Sequence, residues 1–226
     1  MNSQSEFYVG YLPMPAKLRV VVRRIAVALG ALAAALGISL ALALCPFAPA
    51  AFEYRQYRDF EGILVSRPYP ALIGADGLAW LLVAPGKHGF TGAAQSGSVV
   101  RLRGQRIWRG GDRMIEVDPP SVRISGAGTP PPESELGPVE LTGEIVDSKC
   151  YFGVMNPGNG KVHRDCAARC IAGGVPPAFL VRDAAGRSAT LLLANWRREL
   201  LEHVAEPVTL RGRIARAAGR LVLYLE

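Results

Sequence analysis

The sequence holds no Cys-x-x-Cys run, no Cys-x-x-Cys-His haem attachment and no Gly-x-Ser-x-Gly nucleophile elbow. These absences exclude a thioredoxin-like redox motif, a c-type haem and the serine hydrolases that carry that elbow. Histidine is scarce, with three residues, and cysteine numbers four. Charged residues make up only 20% of the chain, while 50% is hydrophobic. So apolar a composition excludes a disordered tail, and 226 residues are too few for a large multi-span transporter. The 25 glycines and 17 prolines follow no collagen period and suit short strands joined by turns.

Acidic residues are the minority charge: 19 Asp and Glu against 26 Lys and Arg, for a net +7. Residues 1–58 carry six basic and two acidic groups, and residues 59–226 carry 20 and 17. Much of the excess therefore flanks one apolar segment. The remainder is only mildly basic, which argues against a phosphate-tracking surface and a nucleic-acid partner.

That segment runs from Ile25 to Leu44, 20 residues without a charge. At helical rise it spans roughly 30 Å, the hydrocarbon thickness of a bilayer. Lys17, Arg19, Arg23 and Arg24 precede it, and the first charges after it are Glu53 and Arg55. The positive-inside rule then puts residues 1–24 in the cytoplasm and everything after about residue 46 outside. Ala48-Pro49-Ala50 offers a small-x-small cleavage pattern. The apolar run and its basic lead-in are long for a cleaved signal, so the expectation is an uncleaved, single-pass anchor. Leu42-Ala43-Leu44-Cys45 has the outline of a lipoprotein box, but Leu44 is too large for the position before the cysteine. The proline-broken stretch from Phe7 to Leu18 reads as a juxtamembrane tail or a docking segment for a membrane partner.

The exported region carries an internal repeat. Gly62-Ile63-Leu64-Val65-Ser66 matches Gly143-Glu144-Ile145-Val146-Asp147, and Val100-Arg101-Leu102-Arg103-Gly104 matches Val208-Thr209-Leu210-Arg211-Gly212. Leu78–Ala84 pairs with Ser188–Ala194, and Met114–Val117 with Leu221–Tyr224. Alternation and β-branched content make these strands. Trp196, Leu200, Leu201 and Val204 share one helical face, which predicts a helix between the third and fourth strands of the second copy. Strand, strand, strand, helix, strand, strand is the order of an OB-type barrel. The fold expected is mainly β. An N-terminal transmembrane helix (25–44) is followed by two tandem OB-like small β-barrels, 59–125 and 139–226, joined by a Pro-rich linker at 126–138.

The second copy holds roughly 28 extra residues between its first two strands, and Cys150, Cys166 and Cys170 all fall there. If His163 to Ala172 is a short helix, His163, Cys166 and Cys170 lie within about 60° on one face. Cys150 then closes the set from the end of the first strand. Three thiols and an imidazole suit zinc, or copper through their softer donors. An oxidising compartment suits instead a disulfide from Cys150 to Cys166 or Cys170, with one spare thiol, or a redox-active pair. The spacing leaves these open. Asp147 and Asp165 read as capping or strand-end carboxylates. His88 and His203 have no nucleophile nearby, and Trp80, Trp108 and Trp196 read as core or rim aromatics.

The run Asp147-x-Lys149-Cys150, then His163-x-x-Cys166-Ala167-x-x-Cys170, then Pro176-Pro177, resembles a group of bacterial exported, OB-like domains of mostly uncharacterised function. The resemblance covers about residues 139–226. It implies an extracytoplasmic small-barrel module, sometimes accompanying membrane redox systems. With the anchor and its flanking charges, the location expected is the bacterial inner membrane, single-pass, with the C-terminal domains periplasmic or extracytoplasmic. It carries over no catalytic activity. The leading expectation is a non-catalytic, membrane-anchored binding or assembly module, an accessory subunit of a membrane complex. The alternative is a metal-handling or electron-transfer protein that uses the Cys/His insert.

Overall fold

The structure is a computed structural model that describes residues 13–44, 50–92 and 95–226. Cys45, the Ala48-Pro49 pair and the tail through residue 12 lie outside the described residues. The chain divides after Phe47 into two units.

In the first unit, α1 spans Ala16–Ala43, 28 residues and about 42 Å at helical rise. No residue in it is buried, and it is long and apolar enough to cross a bilayer. It starts directly after Pro15, so Lys17, Arg19, Arg23 and Arg24 lie on the helix itself rather than ahead of it.

The second unit is mainly β. Its first half holds β1 (Ala50–Phe52), β2 (Arg58–Val65), β3 (Ala71–Gly74), β4 (Ala79–Val83), β5 (Ser98–Arg109), β6 (Asp112–Val117) and β7 (Arg123–Ala127). The second half holds β8 (Ser134–Asp147), α2 (Arg164–Ala172), β9 (Pro177–Arg182), β10 (Ser188–Ala194), β11 (Pro207–Ala217) and β12 (Arg220–Leu225). Strands β8 to β12 form a closed five-stranded barrel, in which β12 lies between β10 and β11 and pairs with β10 in parallel. The first half repeats this pairing order. β2, β3, β4 and β6 follow one another, β4 and β6 are parallel, and β5 bonds both β6 and β2. β1 and β7 add to β5 outside that ring.

The registers repeat too. Gly62 faces Val100 where Gly143 faces Val208, as the sequence landmarks predict. In the third and fifth strands the match moves by one residue: Leu81 faces Met114 where Leu192, not Leu191, faces Val222. Gly104 and Gly212 are equivalent for a steric reason. A Cβ on either would lie 2.6 or 2.1 Å from a fifth-strand carbonyl, of Glu116 or Tyr224.

The apolar runs are buried on both faces, because successive side chains of a strand point to opposite sides. Leu64, Leu72, Leu82 and Ile115 form one cluster within the first half, and Ile145, Phe179, Leu193 and Leu223 another within the second. Their strand neighbours Leu81, Met114, Val146, Ala178, Leu192 and Val222 turn the other way and join a single cluster shared by both halves. The halves therefore belong to one compact unit, Ala48–Glu226. Of the residues read as a linker, Gly126 lies in β7 and Ser134 to Pro138 in β8, where they pair with β5 and β11. The helix expected at 196–204 is a tight 3-10 turn, Arg198–His203. Trp196, Leu200 and Leu201 still pack on the second core.

Candidate metal centre

The insert leaves β8 at Asp147, whose carboxylate accepts the Cys150 amide N–H at 2.8 Å. That is the capping role expected of it. A wide helical turn, Cys150–Val154, buries Cys150, Tyr151 and Phe152. The chain returns through a tight turn at Lys161–His163 into α2. Spacing of four on α2 puts Cys166 and Cys170 on one face, with Cys170 buried and Cys166 half-buried. Gly173 and Gly174 end the helix, the second with φ +93°, and the Val175 amide bonds back to the Cys170 carbonyl.

Those glycines also admit a loop from the first half. The Gly89 amide donates to the Gly173 carbonyl at 3.0 Å, and a Cβ on Gly173 would lie 2.0 Å from the Lys87 carbonyl. Only hydrogen at that position lets the loop approach. The approach brings Lys87 Nζ to 2.8 Å from Cys166 Sγ and 3.7 Å from Cys170 Sγ. Lys149 reaches the opposite way, from the insert into the first half. Its ammonium donates to the carbonyls of Ala84 at 2.9 Å and Gly86 at 2.7 Å, and pairs with the buried carboxylate of Glu116. Gln105 holds Glu116 from its other side at 3.0 Å.

The sulfurs of Cys150, Cys166 and Cys170 lie within 4.8 Å of one another. All three are free thiols, so the expected disulfide from Cys150 to Cys166 or Cys170 is not formed in this structure. Three converging sulfurs make a group that can hold a metal ion. His163 Nε2 lies 3.1 Å from Asp147 Oδ2, and both side chains are almost fully buried. Asp147, Cys150 and His163 form a second group with ligand atoms within 4.8 Å. The four residues predicted as one set thus fall in two overlapping groups that share Cys150.

Electrostatics differ along the trio. Cys170 is lowered to about 7, chiefly by the hydrogen bond from the Cys150 thiol and further by the nearby Lys87 charge. Cys150 is pushed well up by that same bond to Cys170, by burial and by the charge of Asp147. Lys87 is raised in turn, first by its bond to Cys166. The bond from Cys150 and the Lys87 charge thus favour the thiolate at Cys170.

The sulfurs open on a cleft of about 580 Å³, walled by Phe52, Tyr54 and Tyr57 and also lined by Arg55, Lys87 and Met155. Sequence reasoning missed Lys87, Lys149, Glu116 and Met155. Lys149 had a signal, since it sits in the Asp-x-Lys-Cys run, whereas Lys87 had none because 79 residues separate it from Cys166. His88 and Asp165, both considered from sequence, are exposed.

No protein-family model matches the chain, and neither a curated protein nor a solved structure matches it.

Proposed function

We propose that this protein is a membrane-anchored, extracytoplasmic metal-handling module that binds one soft metal ion through Cys150, Cys166 and Cys170. The observation that carries the reading is the convergence of three free sulfurs within 4.8 Å, on residues that line one cleft. Structural zinc sites are closed by four protein ligands, whereas sites that react or exchange keep a position open. Half-buried Cys166 and the cleft above it fit an open site. The repeated strand order and register support a tandem OB-like fold as the scaffold. The resemblance of its Cys/His run to exported bacterial domains supports a periplasmic location and an accessory role beside a membrane redox complex. α1 is the anchor in this reading, with its basic end in the cytoplasm.

The experiment is elemental analysis of the full chain, purified anaerobically in mild detergent, beside the Cys166→Ser variant. One metal ion per chain, absent from the variant, supports the proposal. A metal-free wild type that co-purifies with stable membrane subunits supports the assembly module instead.

A further inference from the structure

We infer that the site takes monovalent copper and that Met155 is the thioether through which copper enters and leaves; the inference rests on the metal-handling reading above.

The first argument is the donor set. Cys150, Cys166 and Cys170 supply sulfur alone, a soft donor set that suits monovalent copper and zinc alike, so the number of donors has to decide between them. A closed zinc site would call for a fourth protein donor, and with the three thiolates of the insert already placed that leaves an imidazole or a carboxylate. The imidazole of His163 falls in the second group, with Asp147 and Cys150, and does not line the cleft, and Glu116, the carboxylate that does, is held by Lys149 and by Gln105 at 3.0 Å. No histidine lines the cleft among the described residues.

The second argument is the position of Met155. It lines the same cleft as the three cysteines, directly after the turn that begins at Cys150, and the residue is 45% exposed. Methionine in a domain of this kind is ordinarily buried, as Met114 is at 0%. An exposed thioether, a half-buried thiol and two buried thiols lining one cleft would offer copper a graded series of soft donors from solvent inward. Copper arriving on a sulfur donor of a carrier forms a bond to the Met155 sulfur as the carrier's bond breaks. Cys166 and then the buried sulfurs displace the thioether, each coordinating thiol releasing its proton to solvent. Copper stays monovalent throughout, so the exchange needs no oxidant or reductant. Lys87, 2.8 Å from Cys166, offsets the negative charge that accumulates as thiolates form.

The test uses the full chain in detergent under anaerobic conditions. Copper is offered as its monovalent bicinchoninate complex and zinc as its chloride with a colorimetric chelator. The wild type should draw one copper ion from bicinchoninate. Met155→Leu, which keeps volume and loses sulfur, should slow that transfer by about tenfold and leave zinc binding unchanged. Circular dichroism confirms that the variant is folded. A wild type that retains zinc against excess monovalent copper overturns this inference and leaves the metal-handling reading standing. Equal copper transfer by Met155→Leu and wild type overturns the role of Met155. Failure to bind either ion removes both the inference and the reading beneath it.

Discussion

The Lys87 ammonium lies 2.8 Å from the Cys166 sulfur, although 79 residues separate them in the chain. The thiol trio is therefore not a property of the insert alone. The insert supplies the sulfurs and the first half supplies the cation and much of the cleft wall. The site exists only where the two halves meet.

Removing that cation has a defined consequence for pH. Cys170 is lowered to about 7, with Lys87 among the groups that lower it. A lowered thiol pKa means that thiolate forms as pH rises through about that value. Alkylation of metal-free protein by iodoacetamide, followed at Cys170 by mass spectrometry, should therefore rise through neutral pH. In Lys87→Met the favourable charge is gone, so the rise should move to higher pH and the rate at neutral pH should fall. An unchanged profile would mean that the ammonium has no electrostatic hold on the trio.

Lys149 should matter for stability rather than chemistry. Its side chain is 4% exposed and its partner Glu116 10% exposed. Breaking a buried pair by removing one member strands the other charge, at a cost of about 3–5 kcal/mol. Lys149→Met should thus lower the denaturation midpoint substantially. Lys149→Met combined with Glu116→Met should recover most of the loss, since no buried charge then remains. A single variant as stable as wild type would contradict the burial described here.

The shared cluster predicts how the halves behave apart. Leu81, Met114, Val146, Leu180, Leu192 and Val222 are each no more than 5% exposed, packed in one cluster that draws on both halves. Residues 134–226 produced alone should expose their part of it, bind a hydrophobic dye and self-associate, and co-expression with residues 50–127 should restore a soluble complex. A monomeric, dye-negative 134–226 would show that the cluster contributes little.

That behaviour marks what the sequence made legible. The glycine landmarks were readable because they answer to local sterics: Gly104 and Gly212 each sit against a carbonyl that no Cβ would clear. The short helix carrying Cys166 and Cys170 was readable for a similar reason, since a spacing of four and a Gly-Gly stop are local facts. The merging of the two halves was harder to see. It is written in Leu81-Leu82-Val83 and Leu191-Leu192-Leu193, continuous runs that lack the alternation of a strand with one wet face. Such runs give no phase, which is also why the sequence match slipped by one residue there. His163 shares its helical stretch with the cysteines, but the buried carboxylate of Asp147, 16 positions earlier, engages its imidazole. A helical-face argument takes no account of competing partners in space.

The most direct test of the central claim is X-ray absorption at the metal edge of the full chain purified anaerobically in mild detergent. The account predicts a first coordination shell made of sulfur alone, lost when Cys150, Cys166 and Cys170 are replaced together by serine. A shell containing imidazole nitrogen or carboxylate oxygen, or a protein with three free thiols and no metal, would contradict it.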